Sequence, residues 1–334
     1  MTKYIFLLKL IVVAVCVIYI KYAISIFQRV PNTQEIRTTY SDLEKDLCLD
    51  EGIKRNITMG GSMRCPKNGI VTVVQGGRLG NQIWEYASVV AVAKVTGLQP
   101  YVPGCIKSTL EPLFQNLSVP LLDEIGHCTV QISKYIRYME EYNPKRHNTI
   151  ILKKYNVQPE LIAKYIHDII QELSIKKGLL EESQKILHSV TKYFNKTFDT
   201  FIGVHVRRTD YIPHIRQMYR VKPAYIDFYK SAIDYFSEKN PNSVFVVVTD
   251  DPIWCQKHFK TMSNVFVISK LLQNSTPELD MAILASCNHT IIDYGTFGEW
   301  GALLAGGETI FYKINGNYTS ERLSKVMSKW HPLN

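Results

Sequence analysis

Apolar and polar positions alternate in a regular way over the second half of the chain. Short β-branched runs bounded by polar residues are typical of buried strands, and the segments between them have helical spacing. The predicted strands are Phe201–Val206, Val244–Thr249, Val265–Ile268, Thr290–Ile292 and Thr309–Tyr312, and the predicted helices between them include Pro223–Ser237, Pro277–Cys287 and Phe297–Ala305. This alternation predicts an α/β fold with a parallel sheet covered on both faces, with ligands bound at the carboxyl ends of the strands.

The first half begins with a similar unit. Gly69–Gln75 is a short β-branched run, Gly76–Asn81 is a glycine-rich turn, and Gln82–Thr96 has helical spacing. Residues 157–173 and Leu179–Phe194 each place apolar side chains on one helical face. We expect these two helices to close the first half of the fold.

An apolar segment opens the chain. Leu10–Ile20 is too short to cross a hydrocarbon core of ~30 Å, but Tyr4–Phe27 is interrupted only by two lysines that can reach the headgroups. No small-residue cleavage motif follows, so residues 1–27 are predicted to be a cytoplasmic tail and an uncleaved signal anchor, with a cleaved signal peptide or a buried helix as alternatives. Residues 28–68 are polar without a sustained period and are predicted to be a stem.

Two further features agree with a secretory location. The chain has six N-glycosylation sequons, at Asn56, Asn116, Asn195, Asn274, Asn288 and Asn317. Of its seven cysteines, Cys16 lies in the apolar leader, and the other six could form up to three disulfides in an oxidising lumen. They form no Cys-x-x-Cys pair, which argues against structural zinc.

The net charge of +9 suggests nucleic-acid binding. The positions of the charges and the predicted lumenal location argue against it. Lys3, Lys9 and Lys21 supply three of these charges beside the apolar leader, and a lumenal protein meets no nucleic acid. The composition, 46% hydrophobic and 21% charged, excludes collagen, coiled-coil and multispan membrane proteins.

Candidate chemistry follows the predicted strands. In His205–Asp210, two adjacent arginines suit the bidentate capture of phosphate oxygens, although a solvated charge pair is the simpler alternative. The carboxylates of Thr249–Asp251 could bind a metal, a ribose or guanine edge, or cap the next helix. Asp293–Gly301 opens a helix whose N–H groups suit an anion, and Gly76–Asn81 lacks the Lys-Ser/Thr of a P-loop.

Four segments in this order resemble the galactoside alpha-1,2-fucosyltransferase family of Golgi enzymes that use GDP-fucose. They are Gly77–Ala87, His205–Tyr211, Val247–Pro252 and Gly295–Gly307. The resemblance implies a GT-B-like fold of two Rossmann-like domains facing a cleft, an acceptor-side domain over 69–196 and a GDP-fucose-binding domain over 197–334. It also implies a single-pass type II Golgi membrane protein that transfers fucose with inversion, without a cofactor or a metal, to the 2-hydroxyl of a terminal galactose.

The resemblance also implies a role for each matched residue. Arg207 and Arg208 would hold the GDP diphosphate, and His205 would lie beside the nucleotide. Asp250 or Asp251 would take the guanine or ribose edge. Thr296 and Phe297 would hold phosphate or base, and Arg78 and Asn81 would line the cleft.

An inverting transfer benefits from a base that deprotonates the acceptor hydroxyl. Asp210 is our first candidate for that base, with a structural pairing to an arginine as its alternative role, and Glu85 is the second candidate. Glu299 and Trp84 depart from the family's usual residues, which suggests a different acceptor pocket.

Other functions stay open at this point. They are a fucosyltransferase of another linkage or acceptor, such as a protein O-linked or core alpha-1,6 enzyme, and an inactive homologue that binds a glycan or nucleotide. An NAD-dependent oxidoreductase is disfavoured because the chain lacks the Gly-x-Gly-x-x-Gly fingerprint. The sequence is also compatible with a homodimer.

Overall fold

The computed structural model describes residues 39–48, 64–130, 133–145, 148–272, 275–314 and 318–334. The predicted signal anchor and most of the predicted stem therefore lie outside the described residues. Within these ranges, no helix has both the length and the apolar composition needed to cross a membrane.

The first half contains a four-stranded parallel sheet with the order β2-β1-β4-β3. Its elements are α1 (Tyr40–Leu47), β1 (Ile70–Val73), α2 (Leu79–Thr96), β2 (Gln99–Pro100), α3 (Gly104–Leu110), β3 (Ser133–Ile136), β4 (Thr149–Leu152), α4 (Pro159–Lys164), α5 (Ile166–Glu172) and α6 (Lys177–Phe194). The predicted strand and helix on either side of the glycine turn are confirmed. The single helix predicted over 157–173 is wrong, because it divides into α4 and α5 at Tyr165.

The second half contains a six-stranded parallel sheet with the order β10-β9-β8-β5-β6-β7. Its elements are β5 (Thr200–Val206), α7 (Tyr211–His214), α8 (Ile226–Lys239), β6 (Ser243–Thr249), α9 (Pro252–Phe259), β7 (Val265–Val267), α10 (Pro277–Ala285), β8 (His289–Ile292), α11 (Thr296–Ala305), β9 (Thr309–Tyr312), α12 (Thr319–Ser324) and β10 (Trp330–Leu333). The predicted alternation is confirmed. The additional edge strand β10 contains Pro332, a residue that sheets accept at an edge.

Two helices pack against the opposite half from the one that their sequence positions suggest. Helix α6 buries Ile186 and Val190 against the second sheet, so the prediction that it closes the first half is wrong. Helix α12 of the second half contacts the first half, where Arg322 donates from Nε to Glu160 of α4 at 2.8 Å. Residues from Thr39 to the C-terminus pack as one compact unit that contains both sheets.

Residues 39–48 form part of this unit, although the sequence analysis assigns them to the stem. Thr39 caps α1 through a capping box with Asp42, and Leu47 is fully buried. A disulfide joins Cys48 to Cys105 at the start of α3. The apolar face of this one short helix is what packs it against the first sheet.

A second disulfide joins Cys65 to Cys128, so two of the three pairs that the sequence allows are formed. Cys255 and Cys287 are free and buried, and burial raises the pKa of each thiol to about 12. His127 lies beside the second disulfide, but sulfurs bonded to each other cannot act as thiolate ligands for a metal.

Three of the predicted glycosylation sites are described, and all three are exposed: Asn116, Asn195 and Asn288. The other three, Asn56, Asn274 and Asn317, lie outside the described residues.

Candidate active site

The strand order of the second sheet has a topological switch point between β5 and β8, at the carboxyl ends of these strands. Successive connections run outward on opposite sides of the neighbours β5 and β8, and ligands in open α/β sheets bind at such a reversal. The carboxyl ends of β5, β6 and β8 lead into the segments His205–Asp210, Thr249–Asp251 and Asp293–Phe297. The predicted meeting of these segments at one edge of the sheet is confirmed.

Carboxylates of the two neighbouring strands hold the main chain of the arginine loop. Asp293, fully buried after β8, accepts the Arg207 N–H at 2.6 Å through Oδ2. Asp250, after β6, accepts the Arg208 N–H at 2.8 Å, and its other oxygen accepts both the N–H and the hydroxyl of Thr209. The loop is therefore fixed from both sides before any ligand arrives.

The two arginine side chains differ in their surroundings. Arg207 is a quarter exposed, with Nη2 at 2.7 Å from Asp210 and Nε at 3.3 Å from Asp250. Arg208 is more buried: its Nε lies 3.3 Å from Asp251, and its guanidinium carbon lies 3.9 Å from the centre of the Trp254 ring. Stacking and pairing leave each planar guanidinium little freedom, which lowers the entropy cost of binding a phosphate.

Asp251 and Asp250 are both engaged with protein groups. Asp251 accepts the Trp254 N–H at 3.1 Å and so caps α9, which confirms the prediction that one of the pair is a helix cap. Asp250 holds the arginine loop. The direct contacts of these carboxylates favour positioning of Arg207 and Arg208, and their binding to guanine or ribose stays a prediction.

Asp210 joins the two halves of the chain. Its carboxylate is half-exposed and lies 2.7 Å from Arg207 and 3.5 Å from Arg78 of the glycine turn. Arg78 itself is 81% exposed, so it is free to turn toward a ligand. Both predicted roles of Asp210, the arginine partner and the base, are compatible with this location.

The N-termini of α2 and α11 meet beside the glycine turn. A Cβ added to Gly80 would lie 2.6 Å from the backbone nitrogen of Phe297, so only glycine allows this approach. Thr296 donates its hydroxyl to Asn81 Oδ1 at 3.1 Å across the same contact. Two helix N-termini thus place their partial positive charge beside the glycine turn that carries Arg78.

His205 is buried under this contact. Its ring stacks on Phe297 with centroids 5.6 Å apart, and its Nδ1 lies 3.3 Å from Asp293 Oδ1. A Cβ on Gly298 would lie 2.6 Å from Nδ1, so the small residue makes room for the imidazole. His205 and Phe297 therefore pack on each other where β5 ends and α11 begins, and their contact with a nucleotide stays a prediction.

Glu85, the second candidate base, is fully buried. One carboxylate oxygen accepts the Gly76 N–H at 3.1 Å and the other accepts the Tyr155 N–H at 2.8 Å. Burial raises the pKa of Glu85 to about 8, although both hydrogen bonds oppose that rise. These contacts show that Glu85 holds two loops in place, and its role as a base stays a prediction.

Sequence reasoning missed three of the groups that shape the site: Asp293 as an acceptor for the arginine loop, Trp254 under Arg208, and Tyr229, whose hydroxyl donates to Asp293 at 2.9 Å. An aspartate at the end of an apolar strand was the available signal for the first. The other two are set by contacts distant in sequence.

The two departures from the family pattern contact each other. Trp84 of α2 donates its Nε1 hydrogen to Glu299 Oε2 at 3.2 Å, and Ser320 donates its hydroxyl to Oε1 at 2.9 Å. Both Trp84 and Glu299 are fully buried, and Trp84 packs on Trp300 with ring centroids 5.1 Å apart. They therefore join the two halves, and their effect on the acceptor pocket stays a prediction.

Glu299→Gln is expected to stabilise the protein at alkaline pH. Burial raises the pKa of Glu299 from 4.5 to about 7. The contribution of this group to the free energy of unfolding therefore decreases as pH rises from 4.5 to 7. Glutamine removes a penalty on the order of 3 kcal/mol at pH 8, while its amide can still accept from Trp84 and donate to Ser320. Thermal denaturation should show a higher Tm for the variant at pH 8 and a smaller difference at pH 5. An equal difference at both pH values would contradict ionisation as the cause.

Comparison with known sequences identifies similar glycosyl transferases. The sequence model of glycosyl transferase family 11 matches residues 53–332. The chain is 34% identical over 254 residues to galactoside alpha-(1,2)-fucosyltransferase 2 of Pongo pygmaeus, covering 75% of this chain and 73% of that protein. It is 32% identical over 249 residues to galactoside 2-alpha-L-fucosyltransferase SEC1 of Bos taurus, covering 74% of this chain and 67% of that protein.

Similar solved structures include POFUT1 in complex with GDP-fucose, at a TM-score of 0.49 and 10% identity over 76% of this chain and 100% of that one. Another is NodZ alpha-1,6-fucosyltransferase co-crystallised with GDP, at a TM-score of 0.42 and 14% identity over 70% of this chain and 91% of that one.

Proposed function

Since the chain belongs to glycosyl transferase family 11, we propose that it transfers L-fucose from GDP-β-L-fucose to the 2-hydroxyl of a terminal galactose on a glycoprotein or glycolipid glycan. The relatives named as galactoside alpha-1,2-fucosyltransferases support this acceptor and linkage. The single structural observation that supports it most is the pair Arg207 and Arg208, held by flanking carboxylates where the connections of the second sheet reverse.

In the proposed reaction, the acceptor oxygen attacks C1 of fucose on the face opposite GDP. The bond from C1 to the β-phosphate oxygen breaks, the configuration at C1 inverts, and the electron pair leaves with GDP. Negative charge therefore grows on the diphosphate in the transition state. Arg207 and Arg208 are fixed donors that stabilise this charge without reorganising.

The acceptor hydroxyl loses its proton in the same step. Asp210 is the proposed base, because its half-exposed carboxylate lies between Arg207 of the second half and Arg78 of the first. In this position the carboxylate is open to a bound acceptor and can take the proton of its hydroxyl.

One experiment separates the proposed function from its alternatives. The full-length chain is incubated with GDP-fucose and a β-galactoside, and the linkage of the product is assigned by NMR. An alpha-1,2 product supports the proposal, whereas another linkage or a protein product supports a related fucosyltransferase. Binding of GDP without turnover would support an inactive homologue.

We also propose that the folded part lies in the Golgi lumen, anchored by the N-terminal segment. Two disulfides and three exposed sequons among the described residues are typical of an oxidising, glycosylating compartment. Removal of N-glycans from the protein expressed in animal cells should increase its electrophoretic mobility, and an unchanged band would contradict this location.

Metal independence follows from the same proposal. Arginines and helix N-termini supply the positive charge that a divalent cation supplies elsewhere, so transfer in excess EDTA is expected to keep its rate. Rates with EDTA alone and with EDTA plus excess Mg²⁺ or Mn²⁺ test this expectation. A large loss in EDTA that is restored by a metal would overturn it.

A further inference from the structure

Tyr155 stands out among the exposed residues of the first half. It follows β4, is 48% exposed, and has a φ of 57°, in the left-handed region. Glycine adopts that region easily, whereas an aromatic side chain there is strained. Strain of this kind concentrates at functional sites, because selection keeps the side chain despite its cost.

The surrounding loops hold Tyr155 firmly. Its N–H donates to Glu85 at 2.8 Å, and its ring lies against the glycine turn: Cβ atoms on Gly76 and Gly77 would lie 3.1 and 3.0 Å from carbons of the ring. The turn leaves β1 and the Tyr155 loop leaves β4, which is the neighbour of β1 in the sheet. The ring is therefore fixed in place while nearly half of it faces solvent.

This location lies beside the proposed reaction centre. Gly77 is followed directly by Arg78, whose guanidinium is 3.5 Å from the carboxylate of Asp210. Asp210 is the proposed base for the acceptor hydroxyl. The exposed Tyr155 ring therefore lies against the same turn that brings Arg78 to Asp210.

We propose that the Tyr155 ring is the platform on which the acceptor galactose stacks, an inference that rests on the proposed function. One face of galactose presents only C–H groups, whose hydrogens carry partial positive charge and are attracted to an aromatic face. The ring already attracts positive charge, since Lys154 Nζ lies 5.7 Å from its centroid. A ring that is fixed in advance loses little entropy on binding.

The test compares Tyr155→Gly, Tyr155→Phe and Tyr193→Ala in the full-length chain. Glycine relieves the strained backbone and removes the ring, phenylalanine keeps the ring, and Tyr193 is a control that is 57% exposed on α6. Initial rates are measured with methyl β-galactoside as the varied acceptor and GDP-fucose as donor. Affinity for GDP is measured by calorimetry as a readout that does not depend on turnover.

For Tyr155→Gly we expect the acceptor KM to rise about tenfold, the equivalent of about 1.4 kcal/mol, with unchanged affinity for GDP. Tyr155→Phe and Tyr193→Ala should keep the acceptor KM within about twofold of the wild-type value. An unchanged acceptor KM in Tyr155→Gly overturns the platform, as does an equal loss of acceptor and GDP affinity, which indicates a structural role. If the wild-type chain itself transfers no fucose to galactosides, it is the proposed function that fails.

Discussion

Arg208→Ala and Arg207→Ala are each expected to lower kcat/KM for fucose transfer by about 10²- to 10³-fold. Each guanidinium is held next to carboxylates at the carboxyl ends of β5 and β6, so its removal takes away a fixed donor to the leaving diphosphate. Both main-chain N–H groups keep their carboxylate partners in the alanine variants, and the fold should be retained.

Two further variants make the result specific. Arg208→Lys keeps the charge but loses both the stacking on Trp254 and the planar two-point geometry, so it should recover only part of the lost rate. Arg216→Ala removes an exposed arginine of the same region and should act like wild type. Near-native turnover of either Arg207→Ala or Arg208→Ala would refute the phosphate role.

Asp210→Asn is expected to lower kcat by about 10²- to 10⁴-fold, the range typical of a lost general base. Asparagine preserves the size of the side chain and removes the ability to take a proton. Stopped assays at saturating donor and acceptor measure kcat, and calorimetry measures affinity for GDP. Asp234→Asn, at an exposed aspartate of α8, is the matched control.

The same variant decides between the two roles of Asp210. If Asp210 is the base, the asparagine variant should lower kcat and bind GDP as tightly as wild type or more tightly. The reason is that loss of the negative charge frees Arg207 and Arg78 from their ion pairs. A positioning partner affects GDP affinity first, because Arg207 would lose its orientation. Loss of a base should lower kcat by at least about 10²-fold, so a kcat within about fivefold of the wild-type value would rule out the base role.

Local patterns were enough to predict the second sheet and its strand-end motifs. Runs such as Val244–Thr249 are buried on both faces, and a parallel sheet collects the carboxyl ends of its strands at one edge. The location of Arg207, Arg208 and Asp251 follows from this geometry alone. It required no knowledge of which side chains touch.

Contacts between distant parts of the chain were beyond such reasoning. Strand β3 is too short and too polar to be recognised alone, and it is formed by pairing with β4. Trp254 under Arg208 and the Trp84–Glu299 hydrogen bond depend on how elements pack, not on their own sequence. The hydrogen bonds of Glu85 to Gly76 and Tyr155 likewise depend on packing between distant segments.

The disulfide between Cys48 and Cys105 ties the N-terminal part of the chain to α3. If the chain is anchored through residues 1–27, a protease that cuts anywhere between Cys48 and Cys65 separates the backbone but leaves both pieces covalently joined. Release of such a chain requires either a cut on the N-terminal side of Cys48 or both a later cut and reduction of this disulfide. In an anchored chain, release of the folded part would therefore depend on where the chain is cut relative to Cys48 and on the redox state of one bond.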